Sequence, residues 1–176
     1  DGDNTFATQI TNLSPAKKIG ATTKNFALFD AKDLLMPGEH NLKNAVMAAT
    51  IARELNVPNK IILNTVRKFK GLPHRLELTK TFHKIKFYDD SASTNPGTTA
   101  AAIKSFQEPI ILIMGGKDKL VSFEPLVETI KSAENLKMII LMGENRNKIL
   151  AVLNEARIAN PELKICEVAN VKNAIK

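Results

Sequence analysis

Apolar residues in the first third of the chain recur with the period of a helix. Leu42, Ala45, Val46 and Ala49 follow the i, i+3, i+4, i+7 rule after the turn Pro37-Gly38, which predicts an amphipathic helix. Pro58 then opens a second helix with Ile61, Ile62, Thr65, Val66 and Phe69 along one face, and Gly71 with Pro73 closes it. The period next drops to two. Leu76, Leu78 and Phe82 alternate with polar residues, and Ile85 and Phe87 alternate with Lys84 and Lys86, which predicts a hairpin turning at His83-Lys84, its second strand half-buried over 85–89. From Pro96 a helix pattern runs to Phe106, with proline near the first turn where a missing N–H costs little.

Beyond that point the pattern changes again. The apolar runs 110–114 and 138–142 both end at glycine. Each is followed by a helical pattern, Phe123, Leu126, Val127 and Ile130 after the first, then Ile149, Val152, Leu153 and Ala156 after the second. A last strand is expected over 163–168 and the start of a helix over 170–176. Continuous apolar runs alternating with helices imply a parallel sheet covered on both faces, so the second half is read as α/β and Rossmann-like. Gly71-Leu72-Pro73 reads as the hinge between two units, 1–72 and 73–176. The opening thirty residues hold short pieces such as Phe26-Ala27-Leu28-Phe29 and no complete supersecondary unit. With Asp1 in place of Met, they predict a chain whose start is missing.

Composition narrows the class. A 44% hydrophobic content supports a real core, and no apolar run approaches the ~18 residues of a membrane span. The single cysteine, Cys166, excludes a disulfide framework and is expected as a buried thiol in a reducing cytosol. The formal charge of +7 suits an anionic partner. Its lysines are scattered and Trp is absent, so neither a basic stripe nor a stacking platform marks a nucleic-acid binder.

Four polar constellations fall in loops. Gly38-Glu39-His40-Asn41 with Asn44 puts an imidazole and an amide on one face at a helix start; the plain alternative is a capped, solvated helix end. Arg75, in His74-Arg75-Leu76-Glu77, could fork onto a phosphate or pair with Glu77. Asp89-Asp90-Ser91 with Thr94-Asn95-Pro96 joins a strand end to a helix start, where open α/β folds hold ligands, although Ser93, Thr94 or Asn95 could equally be a cap. Lys119, in Gly115-Gly116-Lys117-Asp118-Lys119, follows an apolar strand and could meet an acidic ligand.

In this order and spacing, these motifs resemble the Mur ligases, ATP-dependent amino-acid ligases of peptidoglycan precursor synthesis, over nearly the whole chain. The resemblance implies that 1–72 is the helical end of a P-loop-type central ATPase domain and that 73–176 is a truncated C-terminal domain. It is strongest to the branch that adds D-glutamate to UDP-N-acetylmuramoyl-L-alanine through an acyl phosphate, with ATP and Mg²⁺ as cofactors, in the cytoplasm, as a monomer, with no nucleic acid and no membrane insertion. By motif position it implies nucleotide contacts from His40, Asn41, Asn44, Arg75 and Asp90, and amino-acid contacts from Ser91, Thr94 and Lys119. Another Mur-type or folylpolyglutamate-synthase-like ligase is the runner-up, and a non-catalytic Rossmann-like nucleotide-binding domain is the alternative from a different class.

Two departures from the family pattern stand out. Many members carry Lys two residues after the Asp90 position, where this chain has Ala92. No Gly-Lys-Ser/Thr phosphate loop occurs, since the only Gly-Lys pair, Gly116-Lys117, is followed by Asp118. The resemblance places that loop, the UDP-binding domain and a carbamylated lysine before Asp1, and a Ser-rich segment that grips D-glutamate after Lys176. The chain by itself is therefore expected to lack ligase activity.

Overall fold

The computed structural model describes residues 5–24, 26–156, 158 and 160–175. Contacts divide the chain into two compact units, Asp1–Asp89 and Asp90–Lys176.

The first unit holds α1 (Thr5–Asn12), a single 3-10 turn at Ala31–Asp33, α2 (Glu39–Glu54), α3 (Asn59–Lys68) and the strands β1 (Glu77–Phe82) and β2 (Ile85–Asp89). Gly38, at φ 100°, turns the chain into α2. The predicted stripe of α2 turns inward, with Val46 and Ala49 buried and Leu42 and Ala45 packed against Ala21, Phe29 and Ile62. On α3 the buried stripe is displaced by one position. Ile62, Leu63 and Val66 pack, whereas Ile61 and Phe69, expected on the same face, are exposed.

The hairpin forms as expected. β1 and β2 pair antiparallel, with Leu78 opposite Tyr88, a register shift between Leu78 and Lys80, and Phe82 opposite Ile85. His83 and Lys84 make the turn with positive φ, 46° and 67°. The second strand departs from the expected half-burial: Ile85 is 59% and Phe87 36% exposed. Period two fixes which side chains share a face of a ribbon, but a two-stranded sheet is buried only where another layer covers that face.

The second unit holds α4 (Pro96–Ile103), β3 (Ile110–Gly115), α5 (Glu124–Ser132), β4 (Leu136–Met142), α6 (Arg146–Glu155), β5 (Lys164–Glu167) and α7 (Val171–Ala174). β3, β4 and β5 form a parallel sheet in that order, which agrees with the α/β reading of the sequence. Central β4 is the driest strand, and Leu136, Ile139 and Leu141 are fully buried against Leu126, Ile130 and Ile149 of the helices.

Two expectations are corrected at the flanking strands. β3 is not covered on both faces, since Ile111 and Ile113 are 61% and 37% exposed while Ile110, Leu112 and Met114 pack inward. Cys166 is exposed rather than buried. Side chains alternate along β5, so the inward turn of Ile165 sends Cys166 to the opposite face. The predicted last helix is one turn, and its final position, Lys176, lies outside the described residues.

No helix among the described residues is long and apolar enough to cross a membrane.

Candidate functional site

The candidate residues of the first unit sit at two places. His40, Asn41 and Asn44 occupy the first turns of α2. Asn41 is 7% exposed, and its side-chain amide donates to the Pro37 carbonyl at 2.7 Å. That bond ties the helix start to the turn before it. His40 is half-buried and Asn44 exposed, so the outer rim of this helix start carries one ring and one amide.

Arg75 lies in the turn before β1, between His74 at φ 62° and Leu76 at φ 45°. Two non-glycine residues with positive φ within three positions make a strained turn. Glu77 supports it by accepting the His74 backbone N–H at 2.8 Å, and the His74 ring supports it by lying 2.8 Å, Nδ1 to Oδ2, from Asp89 at the far end of the hairpin. The expected alternative for Arg75, an ion pair with Glu77, does not form. Among the described residues no carboxylate pairs with the exposed guanidinium.

The Asp89 carboxylate raises the pKa of His74, first through the hydrogen bond and then through its charge. Ligand atoms of His74, Glu77 and Asp89 lie within 4.8 Å of one another, a spacing that would admit a divalent cation. The hydrogen bonds among them account for the grouping.

In the second unit Asp90, Ser91 and Thr94 belong to the loop that enters α4. The Asp90 carbonyl accepts the Ser93 N–H at 2.8 Å. Of the three candidate caps, Asn95 takes the role, its Oδ1 accepting the Thr98 N–H at 2.9 Å. Ser93 and Thr94 are thereby left out of capping, and Ser91 and Thr94 are exposed.

Lys119 lies in the loop after β3. A Cβ on Gly115, at φ 133°, would fall 1.8 Å from the Met142 carbonyl oxygen, so the end of β3 approaches the end of β4 closer than any side chain permits. Asp118 pairs with Lys148 of α6 through both carboxylate oxygens, at 2.9 and 3.0 Å. Its Oδ1 also accepts the Leu120 N–H at 2.9 Å. The Lys148 bond, then the backbone bond, hold Asp118 below the ordinary carboxylate pKa. Lys117 and Lys119 are exposed, and among the described residues neither forms an ion pair.

Sequence reasoning passed over Asn145, whose Oδ1 accepts the Gly116 N–H at 2.8 Å, and Lys148. The signal was available: Gly143-Glu144-Asn145 follows β4 as Gly116-Lys117-Asp118 follows β3, at the strand ends where this fold class places its ligands.

Comparison with known proteins places these loops in context. A family model described as Mur ligase, glutamate ligase domain, matches residues 74–176. The UDP-N-acetylmuramoylalanine--D-glutamate ligase of Nitrosospira multiformis is 41% identical over 131 residues, covering 74% of this chain and 27% of that protein. The protein of the same name from Latilactobacillus sakei is 36% identical over 140 residues, covering 80% of this chain and 30% of that one. This chain thus spans under a third of the length of those two relatives. Among solved structures, the UDP-N-acetylmuramate-alanine ligase MurC of Thermotoga maritima matches with a TM-score of 0.57 at 12% identity, covering 77% of this chain and 35% of that chain. The UDP-N-acetylmuramoylalanyl-D-glutamyl-2,6-diaminopimelate--D-alanyl-D-alanyl ligase of Acinetobacter baumannii matches at 0.52 and 22% identity, over 74% of this chain and 28% of that one. At those identities the two structures speak for the fold.

Proposed function

This chain belongs to the Mur ligase family, and we propose that it is part of an ATP-dependent, ADP-forming ligase that adds D-glutamate to UDP-N-acetylmuramoyl-L-alanine in the cytoplasm. The observation that carries the reading is the 41% identity, across 74% of the chain, to a protein named for that reaction. The functional boundary is put at the turn Gly71-Leu72-Pro73, ahead of the hairpin, whereas the contacts divide the chain after Asp89.

The chemistry asked of the site is the joining of two anions with a nucleotide triphosphate. Positioned cations and hydrogen-bond donors offset the repulsion and hold the reacting groups in line. The exposed Asn44 amide and the His40 ring are assigned to the nucleoside, and Asn41 is assigned to the same helix start, which it fixes through Pro37. Arg75, exposed and without a carboxylate partner among the described residues, is assigned to the phosphates, which its planar fork suits. Asp90 is assigned to the ribose.

Lys119, Ser91 and Thr94 are assigned to the amino acid. A lysine without an ion-pair partner among the described residues, beside an Asp118 already paired with Lys148, suits a carboxylate, and the exposed Ser91 and Thr94 hydroxyls lie outside the helix cap formed by Asn95. Mg²⁺ supplies charge neutralisation on the triphosphate when bound, and no residue of this chain is assigned to it.

The test is ADP release by the full-length ligase with UDP-N-acetylmuramoyl-L-alanine and each candidate amino acid. Turnover is expected with D-glutamate. Turnover with L-alanine or diaminopimelate and none with D-glutamate would sink the reading. Arg75→Ala is expected to lower kcat/KM by about a hundredfold, the scale of losing a charge-assisted phosphate contact.

A further inference from the structure

Two residues at the start of α6 give up what a helix start normally favours. Asn145 occupies the N-cap position, yet its side chain makes no cap hydrogen bond. An asparagine in that position ordinarily accepts an N–H from its own first turn. Here its Oδ1 reaches the neighbouring loop and accepts the Gly116 N–H at 2.8 Å, while the Asn145 N–H donates back to the Gly116 carbonyl at 3.0 Å. Lys148 puts a cation in the first turn, where the helix dipole disfavours it. It makes two bonds to Asp118, at 2.9 and 3.0 Å, and lies 5.9 Å from the Phe123 ring centroid.

These contacts bracket one residue. Gly116 is clamped on both backbone groups by Asn145, and Asp118 is clamped by Lys148 and by the Leu120 N–H. Lys119 sits between the Asp118 and Leu120 anchors. Gly143 closes the same contact from below, because a Cβ there would lie 2.8 Å from the Gly116 nitrogen. The bonds to Lys148 also occupy Asp118, the carboxylate that would otherwise compete for Lys119 and repel an anionic ligand.

We propose that Asn145 and Lys148 are positioning residues that hold Lys119 in place for the carboxylate of the incoming amino acid. The inference rests on the assignment of Lys119 made above and adds residues that act through it. It predicts a defect confined to amino-acid binding, since ATP contacts are assigned elsewhere.

The experiment compares Asn145→Ala, Asn145→Asp, Lys148→Met and Lys119→Ala in the full-length ligase, and follows Gly116 amide exchange in the 176-residue chain. Asn145→Ala and Lys148→Met are expected to raise KM for D-glutamate about tenfold, leaving KM for ATP within about twofold. Asn145→Asp keeps the acceptor oxygen and is expected to restore both KM and slow Gly116 exchange, which Asn145→Ala loses. A merely structural role would not separate the two substrates or be rescued by the acceptor. If Lys119→Ala raises KM for D-glutamate while Asn145→Ala and Lys148→Met do not, the positioning inference is overturned and the assignment of Lys119 stands. If Lys119→Ala changes nothing, that assignment fails and the inference falls with it.

Discussion

Gly115 leaves no room for a side chain. Its Cβ would lie 1.8 Å from the Met142 carbonyl oxygen, and its φ of 133° strains any L residue. Gly115→Ala is therefore expected to lower unfolding free energy by about 2 to 4 kcal/mol, read from the urea midpoint of the isolated chain, because backbone cannot swing aside as a flexible side chain would. An unchanged midpoint would mean that the two strand ends do not approach as described.

At the same scale, the His74–Asp89 pair makes a prediction about pH. The folded ring has a raised pKa, so the pair contributes fully below the ordinary histidine value of 6.5 and its contribution is lost as pH rises through the raised folded value. An NMR titration of the His74 ring is expected to show a higher midpoint in the native chain than in Asp89→Asn. Coincident curves would remove Asp89 as the cause.

Elements carry the next level of consequence. Asn95 caps α4 through the Thr98 N–H, and Asn95→Ala is expected to cost about 1 kcal/mol and to speed amide exchange in the first turn of the helix. A loss spread evenly over the second unit would argue against a local cap. β4 is the load-carrying strand of the sheet, central and flanked on both sides. Leu141→Ala removes a fully buried side chain and is expected to cost about 2 to 5 kcal/mol in thermal or urea unfolding. The same change at exposed Ile111 on β3 should cost far less, and equal losses would contradict the burial described for these strands.

For the molecule as a whole, the sequence contains no Gly-Lys-Ser/Thr phosphate loop, so the isolated chain is expected to release no ADP above background with both substrates present. Turnover by the chain alone would refute that.

The sequence by itself determined the kinds of element and their order. The helices α2, α5 and α6, the hairpin and the parallel strands follow from periods of 3.6 and two and from glycines at strand ends, because those signals pass between residues a few positions apart. The motif order likewise identified the family. Only the tertiary structure decided what lay beyond that reach. Gly116 and Asn145 are 29 positions apart and Asp118 and Lys148 are 30, and no local period links them. Their pairing depends on the register of β3 against β4, which brings the loop after one strand to the helix start after the next. Burial followed the same rule. A continuous apolar run put Ile111 in a fully covered strand, alternation half-buried Phe87, and Cys166 was expected as a buried thiol, but whether each face met another layer or water was settled by packing, and all three are exposed.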